Sequence, residues 1–330
     1  MTGSRTCWEW REAPKIGGVG KESSRIAFGT AGCGVDRQDE WHVLLDMFVE
    51  AGGTLIDTGR GYGTSEDTVG GWLAKSGRRE DVVIVTKCGL SPDEVLPDEN
   101  FPSMMREELA TSLRTLGTDY IDLYMLHRDN QRKPVGEIMD PLNEVLSDGV
   151  IDAIAASNWE YRRIDEANEY ADKHGLRTFA AVSNNISLPV PAAAFYRGLV
   201  TTDRNAGEDW RRSTGAPLIP WSSQARGFFV DRHTREMRDA PPADPDAFSR
   251  RMLRVYGSDE NYCRLLRAQQ IGREKGGYTA MEVSLAWLLN RDLPIIPIVG
   301  PKTTGEGASC VRTLSLQLSE SEIAHLDLRA

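Results

Sequence analysis

Cysteine is scarce and carries no pattern: Cys7, Cys33, Cys88, Cys263 and Cys310 are odd in number, scattered and never spaced C-x-x-C. That argues against a disulfide-framed module and reads as free thiols in a reducing compartment. The five histidines, His42, His127, His174, His233 and His325, form no H-x-x-x-H or mixed Cys/His cluster, so a metal centre has no ligand set of the usual spacing. No apolar stretch approaches membrane-spanning length, and the opening Met1-Thr-Gly-Ser-Arg-Thr-Cys-Trp lacks an apolar signal core. A cytoplasmic protein is expected. Positive charge is in deficit, 39 Lys and Arg against 49 Asp and Glu, for a net charge of -10 at pH 7. Such a surface repels nucleic-acid backbones and anionic membranes and leaves room only for local basic sites. Low-complexity linkers and internal repeats are absent too.

What is present is an alternation of short apolar runs with amphipathic segments, in a chain 40% hydrophobic and 27% charged. The runs fall at Ser24–Thr30, Thr54–Ile56, Val82–Lys87, Tyr120–His127, Ile151–Asn158, Phe179–Asn184, Pro217–Ser222 and Pro294–Val299. Helical spacing separates them over Asp39–Ala51, 65–75, Met104–Leu116, Pro134–Leu146, Tyr161–His174, Glu260–Asn290, 305–314 and Glu320–Leu328, with Thr64 or Ser65 the expected N-cap of the second helix. Parallel strands covered by helices read as apolar runs of this kind, and eight of them point to a (β/α)8 TIM barrel spanning residues 1–330 as one domain. The competing doubly wound sheet lacks its G-x-G-x-x-G after the first strand. Residues 186–216 and 225–259 exceed the repeat and are expected to be long loops at the carboxyl face of the strands.

In a barrel all strand carboxyl ends share one face, where chemistry is found. That face collects Asp57 and Tyr62, Lys87, His127, Ser157 and Asn158, Asn184, and Trp221 and Ser222. A phenol there can protonate a developing alkoxide, and a neighbouring ammonium is expected to lower its pKa from about 10. Asp57 is expected to hold Lys87, and His127 to orient a carbonyl.

The runs L-I-D-T-G-R-G-Y-G at 55–63, V-I-V-T-K at 83–87, L-G-T-D-Y-I-D-L-Y-M-L-H-R at 116–128 and A-S-N-W at 156–159 resemble the aldo-keto reductases, over nearly the whole chain. The resemblance implies reduction of a small carbonyl substrate by a nicotinamide cofactor, with Tyr62 as general acid, Lys87 and Asp57 tuning it, and His127 steering the carbonyl. It also implies that Ser157, Asn158 and Asn184 hold the nicotinamide carboxamide, Trp221 stacks on the ring, and Ser222, Gln224, Arg226 and Gly227 wrap the pyrophosphate. Gly300, Lys302 and Thr303, ahead of the helix 305–314, match a segment that binds the adenosine 2'-phosphate. Lys302 makes NADPH the expected cofactor, with NADH the alternative. Glu306, Ser309 and Cys310 depart from the family pattern, and Glu306 is expected to reach a ribose or Lys302. Arg60, Arg128 and Asp129 near the tetrad suit a polar or sugar-like carbonyl, with Trp72, Phe228 and Phe229 as apolar walls. A second reading is a nucleotide-sensing subunit without turnover, as some relatives serve membrane channels.

Overall fold

The computed structural model describes residues 13–90, 96, 100–202, 206–230, 232–240 and 246–329. Strands β1 (Ala27–Gly29), β2 (Leu55–Asp57), β3 (Val83–Cys88), β4 (Ile121–Leu126), β5 (Ile151–Ser157), β6 (Ala181–Ser183) and β7 (Ile298–Val299) are all parallel, in the spatial order β6-β5-β4-β3-β2-β1-β7. Around them run helices α1 (Gln38–Glu50), α2 (Ser65–Ser76), α3 (Phe101–Leu116), α4 (Gly136–Ser147), α5 (Tyr161–His174) and α6 (Ala206–Thr214). The chain continues through α7 (Arg235–Asp239), α8 (Ala247–Tyr256), α9 (Asp259–Glu274), α10 (Ala280–Leu289), α11 (Thr304–Arg312) and α12 (Glu320–Leu326). Helices α3 and α5 stop where expected, at Gly117 (φ 65°) and Gly175 (φ 67°), because a left-handed residue ends a helix and glycine adopts that conformation without a Cβ penalty. Thr64 occupies the N-cap of α2 but makes no capping bond; its hydroxyl accepts the Val35 N–H instead. None of the described helices is long and apolar enough to cross a membrane.

The sheet has seven named strands rather than eight. The run at 217–222 contributes one bridging residue, Leu218, which pairs in parallel with Val182 on one side and Ile295 on the other. Pro217, Pro220, Pro294 and Pro297 explain the reduction, since proline has no N–H to donate to a ladder. Their carbonyls still accept: Val182 N–H bonds Pro217 O at 3.0 Å, Ile298 N–H bonds Pro220 O at 3.0 Å, and Ala27 N–H bonds Pro297 O at 2.9 Å. The curled sheet thus closes on itself as a TIM barrel, through isolated bridges at Leu218.

Side chains alternate strictly between the two faces. Ala27, Leu55, Val83, Val85, Leu123, Met125, Ala153, Ala155, Ala181, Ile219, Ile296 and Ile298 fill the barrel interior. Their neighbours Phe28, Ile56, Ile84, Tyr124, Ile154, Val182 and Leu218 pack outward beneath the helices. Trp72 belongs to this outer layer, buried with its indole N–H on Asp46 Oδ1 at 2.8 Å, so it is not a wall of the catalytic mouth as expected. Phe228 and Phe229 are likewise buried, Phe228 against Tyr256 and Tyr262.

The amino-terminal end of the barrel is sealed by Ile16 and Val19, which join the interior cluster. Beside them Asp122, fully buried, takes Lys21 Nζ at 3.1 Å, Arg79 Nη2 at 2.8 Å and the Ile84 N–H at 2.8 Å. Removing the carboxylate strands two partly buried cations. Asp122→Ala is therefore expected to cost about 3 kcal/mol in urea unfolding, and a loss below about 0.5 kcal/mol contradicts this account of the seal.

Candidate active site

Continuing the alternation one step past the interior apolar residues gives the side chains that line the other, carboxyl-terminal mouth. Leu55 leads to Asp57, Val85 to Lys87, Met125 to His127, Ala155 to Ser157, Ala181 to Ser183, Ile219 to Trp221 and Ile298 to Gly300. Asp57, Lys87, His127, Ser157 and Trp221 thus face inward as expected, while Asn184 does not. Asn184 is fully buried and faces away, with Oδ1 accepting the Trp159 N–H at 3.2 Å and Nδ2 donating to Trp159 O at 2.7 Å. Ser183 holds the inward place on β6, its hydroxyl on Ile219 O at 2.7 Å.

Lys87 is the organising charge. It is 2% exposed, donates to Asp57 Oδ1 at 2.5 Å and to Thr58 O at 2.8 Å, and lies 4.9 Å from the centroid of the Tyr62 ring. An ammonium has three donors, so two are spent holding it and the third is left for the phenol. Tyr62, half-buried in the turn after β2, packs edge-on to His127 with centroids 5.4 Å apart and planes at 86°. The four expected catalytic residues therefore meet at one point.

Their charge states follow from burial and neighbours. Burial pulls the Lys87 pKa down, but the Asp57 carboxylate and Tyr62 outweigh it, leaving the ammonium above its ordinary range. Burial pushes the Asp57 carboxyl up, and Lys87 opposes that shift. The Tyr62 phenol is raised above its ordinary value: burial dominates, Asp57 adds to it, and the charges of Lys87 and Arg128 only partly counter it. This reverses the expectation that Lys87 lowers the phenol, because desolvation of a phenolate outweighs one nearby cation. His127 is held well below its usual value by burial, Lys87 and Arg128, so its imidazole is neutral at pH 7.

The remaining expected positions separate into held and open groups. Ser157 Oγ donates to Ser183 O at 2.8 Å. Asn158, left-handed at φ 61°, gives Nδ2 to His127 O and Ser157 Oγ and takes the Val200 N–H on Oδ1. Ser222 (φ 49°), Arg226 (φ 52°) and Gly227 (φ 83°) form a tight left-handed turn after Trp221, and Gln224 contacts Cys310 of α11 at 3.8 Å. Lys302 and Thr303 sit exposed at the start of α11; Thr303 caps it by accepting Glu306 N–H, and Glu306 folds onto the Lys302 backbone N–H at 2.7 Å rather than onto its ammonium. Thr58 Oγ1, His127 Nδ1, Asn185 Oδ1 and Trp221 Nε1 are buried at or near the mouth without a hydrogen-bond partner among the described residues. Buried polar atoms are rarely left so, and these fit a polar ligand that completes them.

A family model described as the aldo/keto reductase family matches residues 25–328. The chain belongs to that family. It is similar to the aldo-keto reductase str7 of Strobilurus tenacellus, 29% identical over 91% of this chain and 87% of that one. It is also similar to the norsolorinic acid reductase stcV of Emericella nidulans, 28% identical over 86% of this chain and 70% of that protein. A crystal structure provisionally assigned as 2,5-diketo-D-gluconic acid reductase B superposes with a TM-score of 0.71, covering 98% of this chain and 92% of that chain at 22% identity, a likeness that carries the fold alone. The enzyme is thus an oxidoreductase of a family that reduces small carbonyl compounds with nicotinamide cofactors.

Sequence reasoning missed Glu66. An acidic residue in the first turn of α2, it is 1% exposed and latches the mouth from behind. Arg60 Nη1 meets it at 2.5 Å, Thr86 Oγ1 at 2.6 Å and Ser112 Oγ at 2.7 Å. The latch joins the turn carrying Tyr62 to the strand residue just before Lys87. The main pair is open to direct test. Asp57→Asn leaves the buried ammonium uncompensated and is expected to lose about 3–5 kcal/mol in urea unfolding. Adding Lys87→Met to Asp57→Asn should restore much of that loss. A double variant no more stable than Asp57→Asn would contradict the pairing.

Proposed function

We propose that the enzyme reduces a polar or sugar-like aldehyde or ketone to the alcohol with NADPH, Tyr62 giving the proton. The observation that carries this reading is the meeting of a protonated phenol, a buried ammonium and a neutral imidazole at one mouth. NADPH supplies the hydride. Tyr62 Oη hands its proton to the carbonyl oxygen as charge builds there, and Lys87 stabilises the phenolate left behind. Asp57 keeps Lys87 in place, and neutral His127 directs the carbonyl by a hydrogen bond.

Trp221, Ser157 and Asn158 would hold the nicotinamide half, with Ser222, Gln224, Arg226 and Gly227 along the pyrophosphate. Lys302, exposed at the start of α11 with no carboxylate partner among the described residues, supports NADPH over NADH, because the 2'-phosphate is the extra group a cation there meets. The polar substrate is supported by Arg128, 6% exposed, whose charge acts on both the phenol and the imidazole. Arg60 and Asp129 are held by Glu66 and Arg163. Residues 1–330 are taken as one domain because the family match runs nearly end to end.

Purified protein is expected to oxidise NADPH with nitrobenzaldehyde and with small hydroxyaldehydes, followed by loss of NADPH absorbance. Tyr62→Phe should lower kcat/KM by about a thousandfold and leave NADPH affinity unchanged. Wild-type turnover by Tyr62→Phe sinks the mechanism, and tight NADPH binding without turnover on a broad carbonyl panel favours the sensor instead. The pH profile is a separate test. Reduction needs the phenol protonated, and the Tyr62 pKa is raised, so kcat/KM for reduction should stay level through neutral pH and fall only above about pH 10. His127, already neutral, adds no limb between about pH 5 and 8. A fall in that range would overturn these charge assignments.

A further inference from the structure

The His127 ring is not steadied at its buried nitrogen. Nδ1 makes no hydrogen bond with any described residue, and the contact with Tyr62 is ring edge against ring face. The direction of such an imidazole is inherited from its backbone, so whatever fixes residues 127–130 aims the ring.

That segment is fixed carbonyl by carbonyl. His127 O accepts Asn158 Nδ2 at 3.2 Å and Arg128 Nη1 at 2.9 Å, and Arg128 O accepts the Trp159 indole N–H at 3.1 Å. Asp129 O accepts the Leu96 N–H at 3.2 Å, and Asn130 O accepts Arg163 Nη2 at 3.3 Å. Asn158, Trp159 and Arg163 all come from the stretch where β5 hands over to α5. Among these three Trp159 is the most enclosed, with no exposed surface, its ring centroid 5.3 Å from that of Phe179 and 5.6 Å from the Arg163 guanidinium. A rigid indole held on both sides can carry its N–H to one place only.

Asn184 supplies the hold on the Trp159 backbone. Strands β5 and β6 pair as far as Ser157 opposite Ser183, and the Asn158 N–H still reaches Ser183 O at 3.2 Å. There the left-handed Asn158 breaks the ladder, which would leave the buried Trp159 peptide groups without partners. The Asn184 side chain takes both, Oδ1 accepting the Trp159 N–H at 3.2 Å and Nδ2 donating to Trp159 O at 2.7 Å. A side-chain amide offers the same donor and acceptor as a peptide group, so it stands in for the missing strand residue.

We propose that Asn184 and Trp159 are positioning residues for the His127 imidazole. The connection is hydrogen-bonded at each step, from the Asn184 amide to the Trp159 peptide groups and from the indole to the carbonyl that follows His127. Both polar ends of Asn184 are engaged inside the protein, which gives it a role other than holding a nicotinamide carboxamide. That the aim of the ring governs a rate rests on the function proposed above; the aim itself does not.

NMR of the full-length protein with 15N-labelled histidine reads the ring directly, its signal being the one that His127→Gln removes. Trp159→Phe, which keeps an aromatic ring and deletes the N–H, and Asn184→Ala, which deletes both bonds to the peptide groups, should each shift or split that signal. Phe179→Leu, which trims the packing on the same indole and spares every hydrogen bond named, should leave it in place. In turnover, Trp159→Phe and Asn184→Ala should lower kcat for carbonyl reduction about tenfold with NADPH affinity unchanged. Neither should cost anything further in a His127→Gln background, whereas a merely structural loss would add in full. A His127 signal unmoved by Trp159→Phe, or losses that add to that of His127→Gln, overturn the proposal. A tenfold drop in NADPH affinity in Asn184→Ala returns that residue to the cofactor and overturns it equally. If the signal moves as stated and the protein reduces no carbonyl, the positioning stands and the reading of the function falls.

Discussion

A charged ammonium inside a protein must be compensated at close range, and Lys87 meets that demand with Asp57 and the Thr58 carbonyl. The compensation is available only because β2 and β3 are neighbours in a fixed parallel register, Leu55 opposite Val83 and Asp57 opposite Val85. A one-residue slip would turn Lys87 outward among apolar side chains beneath the helices. The site's central charge therefore constrains the barrel as much as the barrel positions the charge.

From that constraint the other protonation states follow. Burial, with the charges of Lys87 and Arg128 beside it, keeps the imidazole neutral, and burial likewise keeps the phenol protonated. A protonated phenol, a neutral imidazole and a fixed cation are thus gathered in one pocket. Glu66 supports this from outside the pocket, binding the turn of Tyr62 to Thr86 so that phenol and ammonium stay in reach of each other.

The element order and the four converging residues were legible in the sequence because parallel strands write themselves as apolar runs ending in polar residues. Asp57, Lys87 and His127 each close such a run. The phase of a run was not legible where both faces are buried: Phe179-Ala-Ala-Val-Ser-Asn-Asn does not say which residues point inward, so Asn184 was expected where Ser183 stands. Only the pairing of Ser157 with Ser183 fixes that phase. The strand at 217–222 was expected at full length because its apolar content was read ahead of its prolines. The raised phenol was hidden for another reason, since desolvation depends on how many atoms surround a group and sequence spacing does not record that. Glu66 looked like an ordinary helix-start acid, and its burial comes from Arg60, Thr86 and Ser112 arriving from three separate segments.

The proline-edged closure has a dynamic consequence. Between β3, β4 and β5 the ring is held by long continuous ladders, whereas at Leu218 the pairing is confined to isolated bridges to Val182 and Ile295 and a few flanking backbone bonds. Local opening costs least where few ladder bonds must break together, so the barrel's breathing is concentrated on this seam. Trp221 and the turn that follows it grow directly from the seam. The wall most free to part is therefore the one from which, on the reading proposed above, a spent dinucleotide would be released.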